Sequence, residues 1–252
     1  MDGSGSFDPV RVASPHDEGS SLLWVLPSAE EEAEEVPADG SKSIALLPGF
    51  GWGEGSHPST YMCLQFVCDE VSSRGPCTVM DYGTGSGVLA LAAAAMGAEK
   101  AVGVDKDDEI LEHAVANAEL NSLENVAMVN GRDVMVGSCG LYIGDDHMAA
   151  NFDVTVANML PAALVKLSPS IAMSVKEGSG VLALCGCNRD EVESVKAAFT
   201  RVGIRFTGER TKTGAAPGAP VKEYVLLTGM RPAASADERE AMIRYLSDSA
   251  AT

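Results

Sequence analysis

Basic residues are scarce in this chain: 18 Lys and Arg stand against 36 Asp and Glu, a formal net charge of −18 over 252 residues. Nucleic-acid binders show a basic patch or stripe, and no Lys/Arg cluster occurs here. Direct nucleic-acid binding is therefore not expected. The acid is unevenly placed, with ten Asp/Glu and two Lys/Arg in residues 1–45. Such a surface attracts basic protein partners, and it serves solubility equally well. Long apolar runs are missing too. The longest, Val88 to Met96, is alanine-rich and far short of the ~20 residues needed to cross a bilayer, so it reads as a buried helix and no membrane partner is expected. None of the six cysteines (63, 68, 77, 139, 185, 187) has C-x-x-C spacing. A chain of this size needs no disulfide staples, so a reducing compartment is expected. The four histidines, at 16, 57, 113 and 147, are scattered, and no metal site is expected. The N-terminus lacks the basic start and apolar core of a secretory signal. Asp2, Asp8, Asp17 and Glu18 make it too acidic for a transit peptide. The expectation is a cytoplasmic protein.

What is present is an alternation of short apolar runs. Residues 1–20 are Gly, Ser, Pro and Asp rich and read as a disordered tail. Residues 21–48 read as an acidic linker carrying short strands at Leu22–Leu26 and Ser43–Leu47, with Glu30 to Glu35 as a solvated charge run. A glycine-rich loop then leads to Pro58, a residue suited to a helix first turn. Strands are expected at Thr78–Tyr82, Ala101–Val104, Val126–Asn130, Val154–Ala157 and Val181–Cys185. Helices are expected at Gly87–Met96, Glu109–Leu120, from Ala162 with a kink at Pro169, and at Asp190–Val202. Gly131 to Asn151 reads as a long polar connection with one apolar island at Leu141 and Tyr142. Ile204–Gly208 and Glu223–Thr228 are two strands with no helix between them, hence an antiparallel pair at one sheet edge. Ser235 to Glu238 looks like a capping box that starts a last helix, Ala236–Leu246. The fold class is α/β: a doubly wound, mostly parallel seven-stranded sheet with a terminal antiparallel hairpin. The main unit covers residues 49–229, with a helical extension at 230–252.

The densest signal is Asp81-Tyr82-Gly83-Thr84-Gly85-Ser86-Gly87, with Asp105 at the end of the next strand. Glycines at alternate positions let the backbone turn sharply and approach a ligand closely. A second-strand acid in nucleotide-binding α/β folds accepts ribose hydroxyls. The dinucleotide fingerprint is G-x-G-x-x-G; here the spacing is G-x-G-x-G, and Asp81 would repel a phosphate. S-adenosylmethionine (SAM) has no phosphate and carries a sulfonium cation, so an acid suits it. The other open reading is a glycine-rich turn with no ligand, which the strand, turn, helix, strand and acid context disfavours.

Four ordered motifs carry a resemblance. Trp52-Gly53-Glu54-Gly55-Ser56-His57-Pro58-Ser59-Thr60 resembles the F-G-T-G-T-H-P-T-T loop of the ribosomal protein L11 methyltransferase family. The Asp81–Gly87 turn is similar to its D-x-G-C-G-S-G, and Asp105 ends a strand like its G-x-D-x-D segment. Asp153-Val154-Thr155-Val156-Ala157-Asn158-Met159-Leu160 resembles its D-x-V-x-A-N-I-L. Trp24-Val25-Leu26-Pro27 and Leu47-Pro48-Gly49 resemble the segment that leads into the loop. The match runs from about residue 21 to 229. Trp52, Glu54 and Thr84 stand where the family has Phe, Thr and Cys, and only about 20 polar residues precede the match, where the bacterial family has a substrate-recognition domain.

The resemblance implies a class I, Rossmann-like SAM-dependent methyltransferase acting on lysine or α-amino nitrogen of a protein such as ribosomal protein L11. It places Thr60, Asp81, Gly83, Thr84, Gly85, Gly87, Asp105 and Asn158 at the cofactor and puts Asp133 where related enzymes touch adenine, although a turn-forming Asp explains that residue as well. Asn158 is also the implied catalytic residue. Enzymes that methylate planar amides or adenine carry N-P-P-aromatic there, whereas this chain has Asn158-Met159-Leu160-Pro161, without a stacking aromatic. That points to an aliphatic amine. His57 either positions substrate or holds its loop, and the loop role is preferred. Two alternatives stay open: the same chemistry on another protein or a small molecule, and a SAM-binding interaction module without turnover.

Overall fold

The computed structural model describes residues 7–16, 20–28, 41–49, 54–137, 140–143, 148–215 and 220–235, together with residues 237, 240 and 244. The central sheet is built from β4 (Thr78–Tyr82), β5 (Lys100–Asp105), β6 (Val126–Asn130), β10 (Val154–Asn158), β11 (Val181–Asn188), β12 (Arg205–Gly214) and β13 (Lys222–Met230). Their spatial order is β12-β13-β11-β10-β4-β5-β6. The five strands from β11 to β6 run parallel, and β13 pairs antiparallel with both β11 and β12. The doubly wound sheet with its terminal hairpin is thus as the sequence pattern indicates.

Period-2 alternation sorts side chains to the two faces. Val79, Val156, Ala183 and Cys185 face one core, which is covered by α1 (Pro58–Arg74) and α2 (Val88–Met96). Met80, Tyr82, Ala157, Leu182 and Leu184 face the other, covered by α4 (Pro161–Ser174) and α5 (Val192–Arg201). α3 (Asp108–Leu120) packs beside β5 and β6. α4 continues through Pro169 to Ser174. Proline at 169 cannot donate to the Val165 carbonyl, and the Ser168 hydroxyl bonds that carbonyl instead, at 2.9 Å.

Two expectations need correction. Residues 10–13, inside the stretch read as a disordered tail, form β1 (Val10–Ala13). β1 pairs antiparallel with β2 (Ser21–Pro27), which pairs in parallel with β3 (Lys42–Leu46). Composition averaged over Gly and Ser hid the Val10/Val12 alternation that buries Val12 in the first core. Likewise, Gly131–Asn151 is not merely a polar connection. It holds a short 3₁₀ turn and the antiparallel strands β7 (Val134–Gly137), β8 (Gly140–Ile143) and β9 (Met148–Ala150). The apolar island is what anchors them, since Leu141 is fully buried in the second core. Trp52, Gly53 and, except for residues 237, 240 and 244, the helix expected at Ala236–Leu246 lie outside the described residues.

Candidate active site

The cavity opens at the C-terminal ends of β4, β10 and β11, the rim where open α/β sheets bind ligands. Its volume is about 600 Å³. The first side of the cavity is the glycine turn. Gly83 and Thr84 both donate backbone N–H to the Val104 carbonyl, at 2.7 and 2.9 Å. Gly85 donates to the Asp105 carboxylate at 3.2 Å, so the strand-end acid braces the turn from β5. Gly83, Gly85 and Gly87 all have positive φ (82°, 54° and 85°), a region costly to any residue with a Cβ.

Asp81 lies beneath this turn and is fully buried. One carboxylate oxygen accepts the Thr84 hydroxyl at 2.7 Å, while Oδ1 has no protein partner. Burial pushes its pKa up to about 7, against the opposing Thr84 hydrogen bond, and the Asp105 charge adds to the rise. The Ala90 backbone N–H also opposes the rise, and a cationic ligand group over the turn would favour the charged form.

The opposite wall is the segment after β10. Asn158 Nδ2 donates to the Thr60 hydroxyl at 3.1 Å. Thr60 sits in the first turn of α1, and both residues line the cavity. His57 is the N-cap of α1: its Nδ1 accepts from the Ser59 amide at 3.4 Å, and its ring meets Tyr224 edge-on at 4.6 Å. Its half-burial lowers its pKa, which keeps it neutral and suits the loop-holding role. Met159 is pinned on two sides. A Cβ at Gly83 would come within 2.5 Å of its Sδ, and one at Gly186 within 2.2 Å of its carbonyl oxygen.

The sequence-derived residues Thr60, Gly83, Thr84, Gly85 and Asn158 thus line one cavity. Asp81 is beneath it, Gly87 caps α2, and Asp105 braces the turn from outside. Asp133 lies apart, exposed in the turn Gly131–Asp133 after β6. Sequence reasoning missed the far wall: Asn188 at the end of β11, Glu191 just after it, and Pro220, Lys222 and Tyr224 around β13. Only the chain's return through the terminal hairpin brings Pro220, Lys222 and Tyr224 there. Asp153, part of the fourth motif, is at the other end of β10. It binds the Thr78 amide and hydroxyl, both at 3.0 Å, and Lys176, and ties strands rather than ligand. No group of three metal-ligating side chains is found among the described residues. Nor, among them, is any helix long and apolar enough to cross a membrane.

Sheet order, glycine turn and strand-end acid define the class I methyltransferase fold. A solved ribosomal protein L11 methylase from Lactobacillus delbrueckii subsp. bulgaricus has the same fold, with a TM-score of 0.65 at 23% identity, over 89% of this chain and 98% of that one. The family model for ribosomal protein L11 methyltransferase (PrmA) matches residues 5–213, and the chain belongs to that family. Proteins named ribosomal protein L11 methyltransferase from Dechloromonas aromatica and Methylobacillus flagellatus are 37% and 34% identical over 227 and 193 residues, covering 90% and 77% of this chain. The chain spans 64% and 56% of their respective lengths, under two thirds of either.

Proposed function

We propose that the protein transfers a methyl group from SAM to lysine or α-amino nitrogen of a protein, with an L11-type ribosomal protein as substrate. The observation that carries this reading is the pairing across one cavity of a glycine turn over a buried, half-unpartnered Asp81 with Asn158 held by Thr60. Family membership supports it.

The residues fit the cofactor. Gly83, Thr84, Gly85 and Gly87 offer close backbone approach, Asp105 stands ready to accept ribose hydroxyls, and Asp81 suits a cationic end. Thr60 and Asn158 complete the methionine side. When bound, SAM supplies a methyl group already activated by its sulfonium. The protein's work is then orientation. Asn158 commits its Nδ2 to Thr60, which leaves Oδ1 to accept a hydrogen bond from an incoming amine and hold its lone pair in line. A lysine arrives protonated, with an unperturbed pKa of about 10.4. Desolvation within the cavity favours the neutral amine that attacks. The chain's excess of acid favours approach of a basic protein. Five buried free thiols, Cys63, Cys68, Cys77, Cys185 and Cys187, support a reducing compartment such as the cytoplasm.

Incubation with labelled SAM in a lysate from cells lacking this methylation is expected to label one or a few small basic protein bands. Label confined to small metabolites would move the reading to a small-molecule substrate. SAM binding with no label in either fraction would leave a binding module.

A further inference from the structure

We propose that Asn117 is a positioning residue for the cofactor turn, coupling it to the segment that leads from β3 into the His57 loop. The inference rests on the SAM reading of the turn given above. Asn117 is on α3, fully buried and polar, and makes no contact with the cavity. Its Nδ2 donates to the Ser86 carbonyl, inside the glycine turn, at 2.9 Å. Its Oδ1 accepts from the Leu47 amide, just past β3, at 2.8 Å. One carboxamide thereby fixes two backbones that share no strand pairing.

The surroundings hold the same geometry. A Cβ at Gly87 would stand 3.3 Å from the Ala114 Cβ, so α3 packs closely against the turn one helical step before Asn117. A Cβ at Gly49 would stand 2.5 Å from the His113 ring, so the chain beyond Leu47 also passes tightly over α3. Asn121 clamps β3: it receives the Ala45 amide and donates to the Ala45 carbonyl, both at 2.7 Å, and its Nδ2 also donates to the Asn117 backbone carbonyl within α3 at 2.7 Å. It does not reach the turn. Removing Asn117 would take one hydrogen bond from the part-buried Ser86 carbonyl and one from the part-buried Leu47 amide, and lost bonds of this kind are costly. The turn would then have to reorganise to bind ligand.

Asn121 provides the control. Asn117→Ala and Asn121→Ala both loosen β3 from α3, and both lower Tm. Only Asn117→Ala also releases Ser86. Calorimetric titration with S-adenosylhomocysteine is expected to show affinity weakened on the order of tenfold in Asn117→Ala and near wild type in Asn121→Ala. Unchanged affinity in Asn117→Ala, or equal losses in both variants, overturns the positioning role while the cofactor reading stands. No binding by the wild-type protein overturns both. Should Asn117→Ala fail to fold, amide exchange in the wild-type protein decides. Ligand is expected to slow exchange at Leu47 severalfold through this link, and no change there contradicts the coupling.

Discussion

Asn158→Ala is expected to lower the methyl-transfer rate on the order of 100-fold, with cofactor affinity reduced no more than a few fold. The asymmetry follows from the division of the carboxamide between two tasks. Its Nδ2 is tied to Thr60 at 3.1 Å, a contact that shapes the methionine side of the cavity. In the proposed reaction its Oδ1 accepts from the attacking amine, and a misplaced nucleophile would lose much of the advantage of being held in line. Loss of one preorganised polar partner of a reacting group typically costs this much in rate. Thr60→Val, which keeps the shape of the side chain but removes the hydroxyl acceptor, should produce a smaller loss of the same kind because Asn158 is then free to rotate. Steady-state rates with saturating SAM, beside calorimetric affinities, separate the two effects. Equal losses in rate and affinity would mean that Asn158 acts only by holding cofactor.

The second large effect concerns Asp81 and pH. Burial raises its pKa to about 7 in the free protein, from an unfolded value near 3.8. A raised pKa means that the folded state prefers the protonated acid. This group's contribution to stability is therefore complete below the unfolded value and is lost as pH rises through about 7. A cationic ligand prefers the carboxylate. SAM affinity is accordingly expected to be level above pH 7.5 and to fall below 7 by as much as about tenfold per pH unit. Asp81→Asn retains an acceptor for the Thr84 hydroxyl but carries no charge. It is expected to raise the Tm of the free protein at pH 8, to flatten the pH dependence, and to weaken SAM binding roughly 10- to 100-fold, the worth of a charge-assisted hydrogen bond. Thermal melts and titrations from pH 5.5 to 8.5 check all three. Affinity independent of pH in the wild-type protein would place the cation elsewhere.

Much of the glycine turn was legible in the sequence because it is local. A strand, a turn with three positive-φ glycines and the acid ending the next strand lie within 28 residues, 78 to 105, and each has a backbone reason for its residue type. Asn158 was legible by the same logic, at the end of a strand. The substrate side was not. Tyr224 reaches the cavity only through the antiparallel return of β13 beside β11, Glu191 lies in the turn after β11, and nothing in the local sequence of either marks it. Asn117 was hidden differently. An asparagine in mid-helix reads as a weak helix former, and its value appears only once Leu47 and Ser86, 70 and 31 residues away, are brought to it. β1 was lost to composition, since four residues of strand were averaged into a Gly- and Ser-rich stretch. Asp133, like Asp105, stands outside the cavity lining. Its position after β6 matched the resemblance, yet it is exposed and lines no part of the cavity.

The most direct measurement is transfer of label from SAM to a purified, unmethylated L11-type ribosomal protein, with Asp105→Ala as the control. Loss of Asp105 removes the brace on Gly85 and, on the proposed reading, the acceptor for ribose. The expected result is label on lysine or the N-terminal amine with the wild-type protein, and none with the variant at the same SAM concentration. SAM binding by the wild-type protein without label on that substrate would contradict the proposed substrate class.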